Sequence, residues 1–116
     1  MWFKQKSSVL GDFEQLVLFG VLRLEGDAYG AAIRQEIHAR SGRDVSINAV
    51  YTTLDRLESK GLLRSWVGEP TPQRGGRPKR MVRVTAEGIQ EAKAFFRAVS
   101  RASRGVSWAV DRARVS

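Results

Sequence analysis

The stretch SINAVYTTLDRLESKGLLRS, residues 46–65, carries the pattern that decides the fold. Its apolar residues recur at helical spacing, which predicts a helix over Ile47–Lys60 with one buried face. That face consists of Val50, Leu54 and Leu57. Ser46 is a typical N-cap residue and Gly61 a typical helix terminator, so the sequence marks both ends of this helix.

A β-hairpin is predicted directly after this helix. Residues Leu62–Glu69 are a run of apolar and polar side chains that predicts a strand, and a second strand is predicted over Lys79–Thr85. The turn-rich segment PTPQRGGRP, residues 70–78, connects them. We therefore expect two strands joined by a loop longer than the tight two-residue type.

Three further helices are predicted around this centre. The first runs over Asp12–Leu24 with Asp12 as its cap, and the second over Tyr29–Arg40, ended by Gly42 in a left-handed conformation. The last begins after a Thr85 cap and covers Ala86–Arg104 or beyond. Three helices, a hairpin and a last helix form the order of a winged helix-turn-helix. The predicted fold class is therefore mostly α with a small β-hairpin.

The positive charge is concentrated in one part of the chain. The net charge is +8, yet residues 1–69 hold nine basic and nine acidic side chains, whereas residues 70–116 hold eleven basic and three acidic ones. A polyanion such as nucleic acid is the partner that this distribution suggests, and a solubilising surface is the alternative.

Several classes of site find no support in the sequence. The chain has no cysteine and one histidine, His38, so a zinc site has too few ligands. No nucleophile with an adjacent base and no nucleotide-binding glycine pattern is present. We therefore predict no enzymatic activity, no cofactor and no metal. The longest apolar stretch, Leu16–Leu22, is too short to cross a membrane, and a cytoplasmic location is expected.

The outer face of the helix over Ile47–Lys60 is the predicted reading surface. Stepping away from its buried face places Asn48, Thr52 and Arg56 outward, where their side chains can contact base edges in a major groove. Ser46 and Tyr51 are expected at phosphates. The alternative is an ordinary amphipathic helix with a solvated outer face.

The hairpin is predicted to be a cationic wing. Within residues 74–83 there is no acidic residue, and the loop contains Gly75-Gly76 and Pro78. Four cations are predicted at DNA phosphates: Arg74, Arg77, Lys79 and Arg80. A flexible solubilising loop and an edge hairpin protected by charge are the alternatives.

The last helix is predicted to pair with a second copy of the chain. Its apolar side chains are spaced alternately by three and four residues, as in a heptad seam. The seam comprises Ile89, Ala92, Phe96, Val99, Ser103, Val106 and Val110. A fold back onto the first helix is the alternative, and Gly105 is a candidate end of the regular seam. Trp108 falls outside the seam. Its three alternative roles are packing on the partner subunit, lining a ligand cavity and lying exposed.

Three stretches resemble the PadR family of bacterial transcriptional regulators. They are DAYGAAIRQEI, AVYTTLDRLESKGLLRS and GGRPKRMVRVTAEGIQEA, and the similarity covers roughly residues 10–100. The resemblance is to the short type with a single C-terminal helix. It implies a winged helix-turn-helix domain over residues 1–85, and a dimerisation helix with a basic tail over residues 86–116.

The resemblance also implies a function. It predicts a homodimer that binds a pseudo-palindromic duplex near promoters, usually as a repressor, with Tyr51 at phosphates and Gly76-Arg77-Pro78 at the wing tip. Some short members bind flat aromatic molecules through a tryptophan in the last helix. Here Ala98-Val99 stands at that turn, so the chain departs from this pattern. The alternative function is a winged-helix module that binds an acidic protein partner.

Overall fold

Four α-helices, one short 3-10 turn and a two-stranded antiparallel hairpin make up the described part of the chain. The computed structural model describes residues 10–69 and 78–108. In chain order the elements are α1 (Asp12–Leu24), α2 (Gly30–Ser41), α3 (Ile47–Ser59), β1 (Leu63–Val67), β2 (Arg80–Val84) and α4 (Ala86–Ser103). This is the order that the sequence predicts, with strands slightly shorter than expected.

Local capping chemistry sets most helix ends where the sequence predicts them. Ser46 Oγ accepts a hydrogen bond from the Ala49 amide at 3.0 Å, and Thr85 Oγ1 accepts one from the Gly88 amide at 3.1 Å. Each side chain satisfies an N–H group that has no partner within its helix. Gly42 ends α2 with a φ of 75°, which confirms its predicted left-handed conformation.

The predicted cap of α1 is wrong by one residue. Gly11 is the N-cap, and Asp12 is already the first helical residue. The Gly11 amide donates to Glu14 Oε1 at 2.9 Å, so the carboxylate three residues along the chain satisfies the start of the helix. Asp12 instead pairs with Arg43, just beyond the C-terminal end of α2, at 3.2 Å.

The core lies where α1, α2, α3 and the hairpin meet. The predicted apolar face of α3 is fully buried, since Val50, Leu54 and Leu57 have no exposed surface. Val17, Leu18 and Ile33 are equally inaccessible, and they come from α1 and α2. The packed face of α3 therefore fixes which of its side chains point outward.

A third segment of the chain pairs with the hairpin, next to β2, and the sequence did not predict this pairing. Its register runs from the pair Leu63 and Val84 to the pair Val67 and Arg80. On the other side of β2, the Val82 amide donates to the Ala28 carbonyl at 3.0 Å, and Tyr29 pairs with Met81. The segment before α2 is thus joined to β2, which ties the hairpin to the helix-turn-helix.

The first half of α4 belongs to the same core as the other elements. Ala92 is 3% exposed, and the ring of Phe95 lies 6.2 Å from that of Phe19 on α1. Gly88 lets the start of α4 pack against the segment before β1, because a Cβ there would collide with the Leu62 carbonyl. Within the described residues, no helix is both long enough and apolar enough to span a membrane.

Candidate nucleic-acid interface

The outer face of α3 presents the three residues that the sequence predicts at bases. Asn48, Thr52 and Arg56 are all exposed, on the side of the helix opposite its buried face. An amide, a hydroxyl and a guanidinium are the groups that hydrogen-bond base edges in a major groove. This part of the helix is therefore chemically able to read a duplex, and the base contacts themselves remain a prediction.

The turn between α2 and α3 is held by an arginine that sequence reasoning missed. Arg34 Nε donates to the Val45 carbonyl at 2.7 Å, and its guanidinium lies 3.9 Å from Asp44. The hydrogen bond ties the middle of α2 to the residues just before Ser46. It thereby fixes the angle at which the N-terminal end of α3 projects. Its partner lies eleven residues further along the chain, which no local pattern reveals.

Tyr51 lies over the first residue of α2. A Cβ placed on Gly30 would be 2.5 Å from Tyr51 Cε1 and 3.0 Å from its hydroxyl oxygen, so the ring occupies the space that a side chain would need. Tyr51 nevertheless remains 43% exposed. Its hydroxyl and the free amides at the start of α2 are therefore neighbours, an arrangement that attracts a phosphate.

Lys79 comes to the same end of α2. Its Nζ lies 4.2 Å from the centre of the Tyr29 ring, and Tyr29 immediately precedes Gly30. A cation above an aromatic face is held in place without losing its charge. Lys79 contacts Tyr29 and Tyr51 lies against Gly30, so both side chains lie at residues that begin α2. We call Lys79, Tyr51 and the start of α2 the phosphate cluster, after the role predicted for them.

Arg80 lies elsewhere, although the sequence predicts it at a phosphate too. Its guanidinium donates to Asp55 Oδ1 at 2.8 Å and to Glu58 Oε1 at 2.7 Å, both on α3. Ser65 Oγ on β1 also donates to the Glu58 carboxylate, at 2.9 Å. The hydrogen bond from Arg80, followed by that from Ser65, lowers the pKa of Glu58 below its ordinary value.

Two predicted wing cations cannot be placed. Arg74 and Arg77 lie outside the described residues, as does the Gly75-Gly76 turn. The described part of the hairpin ends where the Gly68 amide donates to the Lys79 carbonyl at 2.7 Å. The assignment of Arg74 and Arg77 to DNA phosphates stays a prediction.

The predicted seam on α4 divides into two parts. Ala92 is buried in the chain's own core and Ile89 is partly buried against it, so neither side chain is freely available to a partner. Phe96 and Val99 on α4 are exposed by 64% and 49%. Val106 is exposed by 45% but follows the end of α4 at Ser103, after Gly105 with a φ of 79°. Phe95, which the heptad pattern omits, makes the contact with α1 instead.

A groove adjoins the exposed part of α4. It has a volume of about 620 Å³ and lies between α1, α2 and Phe96. Leu16, Phe19 and Ile37 supply apolar lining, with charged residues of α1 and α2 at its rim. Trp108 is 78% exposed, and Val110 lies outside the described residues. Within the described ranges, no group of acidic or histidine side chains is arranged to hold a metal ion.

Comparison with solved structures supports the winged-helix architecture. A transcriptional regulator from Clostridium thermocellum is similar with a TM-score of 0.62 and 26% identity, over 78% of this chain and 85% of that one. A PadR-like transcriptional regulator from Bacillus cereus gives 0.63 and 18%, over 78% and 84%. F93 from STIV, a winged-helix DNA-binding protein, gives 0.66 and 17%, over 85% and 99%.

Comparison of the sequence with family models identifies the relatives of the chain. None of the curated proteins matches it. The model of the transcriptional regulator PadR-like family matches residues 18–94, which include α2, α3, both strands and the buried half of α4. These regulators are not enzymes, in agreement with the prediction of no enzymatic activity. On this match, the chain belongs to the PadR-like family of transcriptional regulators.

Proposed function

We propose that this protein binds double-stranded DNA sequence-specifically as a homodimer and represses transcription from a nearby promoter. The observation that carries the proposal is the exposed face of α3, which presents Asn48, Thr52 and Arg56. Tyr51 is on the same helix, and its ring lies over the start of α2. One surface thus combines groups for base edges with groups for a phosphate. The solved relatives described as transcriptional regulators support the same role.

Affinity and sequence preference come from different residues in this proposal. The phosphate cluster and the wing arginines Arg74 and Arg77 supply affinity and register, because phosphate contacts carry no sequence information. Asn48, Thr52 and Arg56 supply the preference for particular base pairs. Ser46 uses its hydroxyl to cap α3, so it meets a phosphate through backbone amides at the start of the helix.

The dimer forms through the exposed end of α4. Phe96 and Val99 on α4, and Val106 just after the helix, are exposed large apolar side chains, and clusters of such side chains mark interfaces. A two-fold dimer presents two copies of α3 to one face of a duplex, which calls for a pseudo-palindromic site. Occupation of such a site near a promoter blocks transcription. The protein acts in this way in the cytoplasm of a bacterium, on the nucleoid.

A small aromatic ligand is the proposed signal. Trp108 is the most exposed of the described large apolar side chains, and it follows the α4 segment assigned to the dimer. A flat ligand stacked on this ring at the interface would bind one arrangement of the two subunits better than another. Differential binding of that kind shifts the population between arrangements, and with it the spacing of the two α3 helices.

Salt titration of a labelled duplex tests the DNA-binding proposal. For about six phosphate contacts, log affinity should fall against log salt with a slope near −5. Arg77→Gln should weaken binding to every sequence alike and reduce the slope by about one. Asn48→Ala should instead change the preference at one base pair by about 1–3 kcal/mol.

Arg64→Gln is the matched control, because Arg64 is an exposed cation at the base of the same hairpin. It should leave both affinity and slope near the parent values. A slope near zero for the parent protein would contradict DNA binding, and would favour a module that binds an acidic protein partner. Indistinguishable effects of Arg77→Gln and Asn48→Ala would contradict the division of roles.

A further inference from the structure

The reading helix carries two carboxylates on its outward side. Asp55 and Glu58 lie on α3, and their side chains are 70% and 38% exposed. A carboxylate close to a DNA phosphate is repelled, and repulsion between like charges at an interface lowers affinity. A helix that enters a major groove with these two groups therefore needs a way to neutralise them.

Arg80, on the hairpin, offsets one of these two negative charges and donates a hydrogen bond to each carboxylate. Its two terminal nitrogens donate to different carboxylates, one on Asp55 and one on Glu58, at 2.8 and 2.7 Å. Charge-assisted hydrogen bonds of this length are stronger than neutral ones. Ser65 adds a third donor to the group through Glu58. Four side chains from α3, β1 and β2 thus form one network, which we call the wing clamp.

The wing clamp lies at the loop end of the hairpin, at the last paired residues of the two strands. Arg80 pairs with Val67 at the last rung of the ladder, next to the Gly68–Lys79 hydrogen bond. Beyond this rung lies the loop with Arg74 and Arg77. The clamp therefore fixes the outer end of the described ladder to α3.

Lys79 and Arg80 are adjacent, but they point to different places. Lys79 is exposed and lies over Tyr29 in the phosphate cluster, whereas the Arg80 side chain is only one-third exposed and is directed at α3. A phosphate that recruited Arg80 would have to displace two carboxylates from it. Removing Arg80 would leave those carboxylates uncompensated.

We infer that Arg80 is a positioning residue that holds the wing against α3 and offsets one of the two negative charges of Asp55 and Glu58, and that it does not bind phosphate itself. The inference rests on the proposed function, because it concerns how the DNA-binding surface is assembled. It replaces the expectation from the sequence that Arg80 is one of the phosphate contacts.

Rescue of an Arg80 variant tests this inference. The full-length parent, Arg80→Gln, and the triple variant Asp55→Asn/Glu58→Gln/Arg80→Gln are titrated against the duplex that the parent prefers. Circular dichroism identifies a temperature at which all three are folded. We expect Arg80→Gln to lose about tenfold or more in affinity, because two carboxylates then face the phosphates. The triple variant should recover to within about threefold of the parent, with the parent salt slope, because neutral amides no longer repel.

Arg83→Gln is the matched control, since Arg83 is an exposed cation on the same strand whose cross-strand partner is Arg64. The change in duplex affinity caused by Arg83→Gln should be the same whether or not Asp55 and Glu58 are neutralised. A triple variant as weak as Arg80→Gln, with a salt slope reduced by about one, would show that Arg80 is a phosphate contact and overturn the inference. Absence of duplex binding by the parent would overturn the proposed function itself, which is a separate outcome.

Discussion

Helices α3 and α4 are both amphipathic, but the chain's own core covers the apolar face of α3 completely and that of α4 only in part. The apolar face of α3 is completely buried within its own chain, from Val50 to Leu57. The apolar side of α4 is buried at Ala92 and exposed at Phe96, one helical turn further along. A helix whose apolar face is satisfied can offer its polar face to another molecule. A helix whose apolar face is only half covered calls for a partner on the apolar side itself.

Truncation of Leu54 tests the satisfied side of this comparison and should have the largest effect on folding. Leu54→Ala removes a fully buried side chain of the core, so we expect a loss of about 2–5 kcal/mol in the free energy of unfolding. Urea denaturation at a fixed protein concentration measures it. Val67→Ala, at a 73% exposed position, is the control and should change stability by less than about 0.5 kcal/mol. Equal costs would show that the core does not hold α3.

A methyl group at Gly30 tests whether the Tyr51 ring occupies the space next to this residue. Gly30→Ala should lower the free energy of unfolding by about 1–3 kcal/mol, because the new Cβ meets the Tyr51 ring. Gly26→Ala is the control, since a Cβ there has open space, and it should change stability by less than about 1 kcal/mol.

The collision can be separated from any helix effect by a second background. In a chain that already carries Tyr51→Ala, the cost of Gly30→Ala should largely disappear. An unchanged cost in that background would mean that the ring does not require glycine at this position.

A charge at Phe96 tests the unsatisfied side and should have the smallest effect on the fold of one chain. Phe96→Glu places a carboxylate in the proposed interface, so dimer formation should weaken by at least about a hundredfold. Sedimentation should then report the mass of a single chain where the parent is a dimer. Ala94→Glu adds the same charge at another exposed position of α4 and should leave the mass unchanged. A dimer that persists with Phe96→Glu would place the interface elsewhere.

The sequence predicts those features that depend on neighbouring residues. Ser46 and Thr85 cap their helices as expected, because the amides that they satisfy lie within three residues. The buried face of α3 follows from spacing alone. The cap of α1 was misplaced because both Asp12 and Glu14 have suitable chemistry, and only the structure shows that the Glu14 carboxylate reaches the Gly11 amide.

Long-range contacts account for what the sequence did not predict. Arg80 meets its two carboxylates 22 and 25 residues away, so the sequence shows a cation but not its partners. The heptad pattern on α4 likewise identifies an apolar side without saying which residues the chain's own core will cover. The contact between Phe95 and Phe19 settles that question, and it depends on how α1 and α4 cross.

Selection of binding sites from random duplexes tests the central claim most directly, because it reports on α3 and α4 together. If α3 reads bases and α4 joins two chains, the enriched sequences should form an inverted repeat. Its half-site centres should lie about one helical turn, or 10 base pairs, apart. Enrichment of no sequence, or of a single half-site without a symmetric partner, would contradict the account.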